Sequence, residues 1–107
     1  NILLLLDGKD KIYKINKSFA GYLGYFEQDL IGRDAETIFG NNLDEFKFNT
    51  SGNKRIENLG IRMLKKNDVK VTFSFTGSAI KSESRGVKGL VGVLKKTGKN
   101  DAEKRYP

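Results

Sequence analysis

The chain has 107 residues, no cysteine and no histidine, and its 20 lysines and arginines against 13 acidic residues give a net charge of +7. The two zeros exclude disulfides, thiolate nucleophiles, cysteine-based zinc sites and histidine ligation, and remove the commonest general base. With 37% apolar and 31% charged residues, and no run near the roughly 20 apolar residues of a membrane span, the composition fits one small globular domain.

The opening run Ile2-Leu3-Leu4-Leu5-Leu6 is too short for a span or a signal-peptide core and reads as a buried strand. Asp7-Gly8-Lys9-Asp10-Lys11 follows it. An Asp-Gly pair between apolar runs signals a hairpin, with the glycine expected to take the positive φ of the turn. The returning strand, Lys11-Ile12-Tyr13-Lys14-Ile15, leads to Asn16, whose side-chain oxygen is expected to cap a helix. Behind it Phe19, Tyr22, Leu23 and Phe26 fall at i, i+3, i+4 and i+7, one helical face, with Gly24 as the stop.

A short turn over Phe26-Glu27-Gln28-Asp29-Leu30-Ile31 ends at Gly32. Asp34 is expected to cap Ala35-Glu36-Thr37-Ile38-Phe39, which Gly40 terminates, and Asn42 to cap a further short helix carrying Leu43 and Phe46. Brief helices punctuated by Gly and Asn describe a wrapped connector rather than a bundle.

After the polar turn 49–54 the period changes to two. Leu59, Ile61 and Met63 alternate, then a Lys65-Lys66-Asn67-Asp68 turn follows. Val69, Val71, Phe73, Phe75, Gly77 and Ala79 form one face, opposite Lys70, Thr72, Ser74, Thr76 and Ser78. A turn over 82–86 leads to the last strand, Val87-Lys88-Gly89-Leu90-Val91-Gly92-Val93-Leu94, and residues 98–107 read as a polar linker or tail. Two strands, short helices and three strands give an α+β fold, a five-stranded antiparallel sheet with the helices packed on one face.

The hairpin Asp7-Gly8, Asn16 with Phe19, Leu23-Gly24-Tyr25, Leu30-Ile31-Gly32-Arg33 and the run 86–94, in this order, resemble the PAS domain family over nearly the whole chain. The resemblance implies a PAS sensory domain over 1–97. Two departures stand out. Lys95-Lys96-Thr97-Gly98 replaces the Asp-Ile-Thr-like motif that in the family helps couple the sheet to an output helix. Asn67-Asp68 replaces the usual Asp-Gly turn, which Asn and Asp can still form.

What the resemblance implies is a sensor rather than an enzyme. In the family a cavity lies between the inner sheet face and the short helices, and its wall maps here onto Ile38, Phe39, Leu43, Phe46, Leu59, Ile61, Met63, Val71, Phe73 and Phe75. These side chains either line a pocket for a small apolar or aromatic ligand or fill the core. No cofactor is expected: flavin-adduct and coumaroyl-binding members use a cysteine, haem-binding members most often a histidine, and the chain has neither. A small ligand remains an open expectation.

In the family's strand order the first and last strands lie side by side, and here both are apolar on both faces. The expected partners are therefore a second copy, in a homodimer through the outer sheet face and flanking helices, a helix preceding residue 1, and an effector domain in the same chain. A helix over 101–105, capped by Asn100 or Asp101, would lead toward that effector. The expected role is a cytoplasmic sensory and interaction domain of a larger signal-transduction protein, such as a sensor histidine kinase. The rival within binding modules is a ligand-free dimerisation module. A small basic nucleic-acid binder is the rival of another class. The spread of the lysines and the core-like spacing of the aromatics weigh against it, so neither nucleic acid nor membrane contact is expected. For paired-carboxylate chemistry the candidates are Asp44-Glu45 and Asp29 with Glu27; adjacent side chains do not share a helix face, both sites read as exposed, and no catalytic residue is assigned.

Overall fold

Asp7 builds the first turn. Its Oδ1 accepts the backbone N–H groups of Lys9 at 2.8 Å and Lys11 at 3.0 Å, and these bonds hold its carboxyl below the usual aspartate range. The left-handed residue of the turn is Asp10, at φ 61°, and not Gly8 as the Asp-Gly pair suggests. Asp and Asn tolerate that region because their short polar side chains bond locally.

The computed structural model describes residues 1–96. Its elements are β1 (Ile2–Leu6), β2 (Ile12–Ile15), α1 (Lys17–Tyr22), α2 (Glu27–Leu30), α3 (Glu36–Phe39), a 3-10 turn (Gly40–Asn42), α4 (Leu43–Asn49), β3 (Lys54–Leu64), β4 (Lys70–Ser82) and β5 (Val87–Lys96). They form the expected five-stranded antiparallel sheet in the order β2-β1-β5-β4-β3, so the first and last strands are neighbours and β5 is central. The tail 98–107, with the helix expected there, lies outside the described residues.

The alternation of β1 and β4 decides which face meets the helices. Ile2, Leu4 and Leu6, Phe73, Phe75 and Ala79, with Leu90 of β5, are buried together with Phe19, Ala20, Leu30, Ile38, Phe39 and Phe46 of the helices. In β3 the alternation slips: Asn58 adopts φ 53°, the register shifts between Ile56 and Leu59, and the Asn58 N–H bonds to Thr76 Oγ1 at 3.1 Å. This bulge lets both Ile56 and Ile61 reach the core despite their odd spacing.

Five further local expectations are corrected. Asn16 makes no side-chain cap. Its Oδ1 accepts the Leu3 N–H at 3.0 Å and its Nδ2 donates to the Asn1 carbonyl at 3.0 Å, so the amide prolongs the β1–β2 ladder instead. Asp34 and Asn42 likewise give no side-chain cap; Asp34 pairs with Lys11 Nζ at 2.7 Å. Phe26 does not continue the α1 face. The helix ends at Tyr22, Gly24 turns the chain at φ 93°, and Phe26 is left 72% exposed. Val69 stands before β4, exposed, rather than at the head of its inner face.

The expected helix ends at Gly24 and Gly40 do form, both at positive φ. Beside Gly24, the Lys66 N–H donates to the Leu23 carbonyl at 2.8 Å, which brings the β3–β4 turn to the end of α1. Segment 32–35 runs along the outer edge of β2, with Ile12 N–H to the Arg33 carbonyl and Gly32 N–H to the Ile12 carbonyl, each at 2.8 Å. The sheet edge is thereby covered.

Asp10 ties three elements together. Its Oδ2 lies 2.5 Å from Lys47 Nζ of α4. Its Oδ1 lies 2.8 Å from Lys88 Nζ of β5, held by charge rather than by an aligned hydrogen bond. Partial burial pushes this carboxyl up, and the two ammonium groups more than offset it, so its pKa falls below the ordinary aspartate value. A carboxylate with a lowered folded pKa contributes stability that is complete above about pH 4 and is lost as pH falls through the folded value. Asp10→Asn, which keeps the left-handed backbone, is expected to cost about 1 kcal/mol at neutral pH, since these are half-exposed pairs. The gap between the two melting temperatures should close below about pH 4. A gap that persists there would show that the pairs carry none of the effect.

Candidate functional site

The ten positions mapped from the family cavity do converge. Ile38 and Phe39 come from α3, Phe46 from α4, Ile61 and Met63 from β3, and Phe73 and Phe75 from β4, all buried; Leu43, Leu59 and Val71 are half-buried against them. The Phe39 and Phe46 rings stack with centroids 4.1 Å apart. A crevice between α4 and β3, lined by Phe46, Leu59 and Ile61 together with Asn42, Glu45, Asn49, Gly60 and Arg62, has a volume of about 10 Å³. That is about the volume of one water-sized probe.

The ten mapped side chains are all apolar. Thr50 is the one buried polar residue named among the described residues, and its hydroxyl already donates to the Phe46 carbonyl at 2.6 Å. A ligand site normally presents a few polar groups that fix orientation. Among the described residues there is no cluster of acidic residues that would hold a metal ion, and no helix is long and apolar enough to cross a membrane.

Two openings lie elsewhere. An open groove of about 880 Å³ runs between α1 and α2, with Gly21 and Gly24 in its floor and Tyr25, Phe26 and Lys66 along its sides. A smaller cleft of about 220 Å³ lies between α1 and the β4–β5 end of the sheet. Sequence reasoning reached Phe73 but missed Phe19, Tyr22, Leu94 and Lys96 as its lining. The available signal was the pair of dilysines at strand ends, which the fold brings to the tyrosines of the α1 end: Lys65 and Lys96 lie over Tyr22 and Lys66 over Tyr25.

The outer sheet face carries the other notable surface. Val91 and Val93 of β5 are 44% and 43% exposed. Register places Leu3 of β1 on one side of Val91 and Ser78 on the other, with Thr76 opposite Val93. The result is an aliphatic stripe along the sheet centre, flanked by hydroxyls.

A family model described as PAS domain matches residues 1–95. The chain is a PAS domain. Its fold is similar to the PAS domain of an HTR-like protein from Haloarcula marismortui, at 16% identity and TM-score 0.64, over 87% of this chain and 79% of that one. It is similar to Drosophila melanogaster Cycle PAS-B with bound ethylene glycol, at 13% identity and TM-score 0.62, over 88% and 99%. A third is a domain of the sensory box sensor histidine kinase/response regulator from Geobacter sulfurreducens, at 12% identity and TM-score 0.59, over 86% and 79%. A search of curated proteins found no match. PAS domains are generally sensory and non-catalytic.

Proposed function

We propose that this PAS domain is a cytoplasmic sensory and interaction module of a larger signal-transduction protein of the sensor histidine kinase kind. It acts by pairing with a second copy through the outer sheet face, and no nucleic acid, membrane or cofactor takes part. The exposed stripe of Val91 and Val93 beside Leu3 carries the reading. Apolar residues aligned on the two central strands would be covered together by one partner, and fully burying a valine is worth about 1.5–3 kcal/mol. Because a twofold interface uses the same patch on both subunits, each residue counts twice. Occupancy of that face then biases the central strands, and flanking helices pass the change to an effector in the same chain.

The stacking of Phe39 on Phe46 within the buried core supports assembly over ligand occupancy of the family cavity. Among the described residues the three exposed aromatics, Tyr13, Phe26 and Phe48, sit on β2, the α1–α2 turn and α4, and do not form one stacking track for single-stranded nucleic acid.

Sedimentation equilibrium is the test. A dimer is expected at low micromolar concentration, and Val91→Lys, which keeps an extended backbone but charges the stripe, is expected to yield monomer. A strict monomer for the unaltered chain would sink the dimer reading. Native mass spectrometry of cell-purified protein finds any stoichiometric small-molecule adduct, and amide shifts locating that adduct at Ile38, Phe39 and Phe46 would contradict the reading that side chains fill the family cavity.

A further inference from the structure

We propose that the cleft between α1 and the β4–β5 end of the sheet binds a small aromatic carboxylate, one ring on a short acid-bearing chain. Ile2, Phe19 and Phe73 are buried in its floor, Tyr22 and Leu94 form half-buried walls, and Lys96 stands at the rim. Tyr22 meets Phe73 edge-on, centroids 5.2 Å apart at 68°. A third ring can join this pair in the offset or edge-on arrangements that aromatic quadrupoles favour. The volume sets the ligand size. At about 220 Å³ the cleft exceeds the roughly 150 Å³ that takes a benzene and falls short of the roughly 300 Å³ of drug-sized pockets.

Charge sets the ligand's sign. The ammonium of Lys65 lies 4.8 Å, and that of Lys96 5.4 Å, from the centroid of Tyr22. Among the described residues neither pairs with a carboxylate, whereas Lys11, Lys47, Lys81 and Lys88 all do. An aromatic face is a weaker partner for an ammonium than a carboxylate that accepts its hydrogen bonds. Lys96 on the cleft lining, and Lys65 on the same tyrosine ring, can therefore swing to an acid group whose ring lies within, while an amine would be repelled. The Ser18 hydroxyl, also on the lining, is a further donor to the carboxylate.

The cleft is on the helix-covered face, opposite the aliphatic stripe, so the proposal stands or falls independently of dimerisation. Amide correlation spectra of the 107-residue chain, titrated with phenylacetate and in parallel with the neutral phenylacetamide, provide the test. Saturable shifts are expected at Phe19, Tyr22, Phe73 and Leu94, with the acid binding about tenfold more tightly than the amide. The double variant Lys65→Gln/Lys96→Gln should reduce the acid to the level of the amide, and Leu94→Trp, which fills the cleft, should abolish both. No saturable shift at millimolar acid, equal affinity for acid and amide, or binding unchanged by Leu94→Trp would each overturn it. Should Leu94→Trp fail to fold, the acid-to-amide ratio and the location of the shifts in the unaltered chain decide.

Discussion

Replacing Phe39 by alanine is expected to cost about 3–5 kcal/mol, measured as a lowered urea midpoint at unchanged slope. The ring has no solvent exposure and stacks on Phe46 with centroids 4.1 Å apart. Truncation removes the transfer energy of the ring and also leaves a cavity, because α3 and α4 hang on short turns that let them collapse only in part. Against a typical domain stability of about 5–15 kcal/mol, that loss leaves a marginal fold. Phe39→Leu, which restores most of the volume, should lose about 1.5 kcal/mol or less. The pair of variants also bears on the family cavity. If the space between α3, α4 and the sheet were hollow enough to hold a ligand, the ring would have few partners and both costs would shrink toward that of the leucine.

Gly89→Ala is expected to be at least as disruptive as overpacking a core, about 3 kcal/mol or more, or to prevent folding. Gly89 is buried where β5 meets β1, in register with Leu5. A methyl group there would run into the Leu4 carbonyl oxygen and lie 2.8 Å from Leu5 Cα and 2.9 Å from the Leu4 carbonyl carbon. All three are backbone atoms, so no rotamer change relieves the contact and the two central strands must part. Gly60, whose added Cβ would meet nothing within 4 Å, is the matched control. Gly60→Ala should shift the thermal midpoint far less. Equal losses at the two positions would mean that strand entropy, and not the close approach of β1 and β5, sets the effect.

Under the two proposals, the two surfaces would divide the labour of a sensor. A stripe on the outer face can hold a second copy, while a cleft on the inner face can hold a small acid, and β5 runs through both, with Val91 and Val93 outward and Leu94 and Lys96 at the cleft. A ligand that orders Leu94 would therefore act on the strand whose other side would meet the proposed partner. Such coupling requires the ligand to favour one arrangement of β5 over another.

Particular residues show what was readable along the chain. The alternation from Val71 to Ala79 placed Phe73, Phe75 and Ala79 on the buried face because a strand's period of two leaves no choice once one face is apolar. Gly24 and Gly40 marked helix ends because few other residues turn there without strain. Asn16 misled because the same amide that suits a helix cap also suits a ladder, and the neighbouring edge of β1 decided between them. Phe26 misled because helical spacing continues on paper past Gly24, where the chain has already turned.

The sequence by itself determined the α+β order, the inward set on β4, and the absence of cysteine and histidine chemistry, all of which follow from local periodicity and composition. Only the tertiary structure decided that Phe39 stacks on Phe46, and that Lys65 and Lys96, 31 positions apart in the chain, share the ring of Tyr22. These depend on how short helices settle on a twisted sheet. The energies that settle them come from contacts between residues distant in the chain, which no window of the sequence contains.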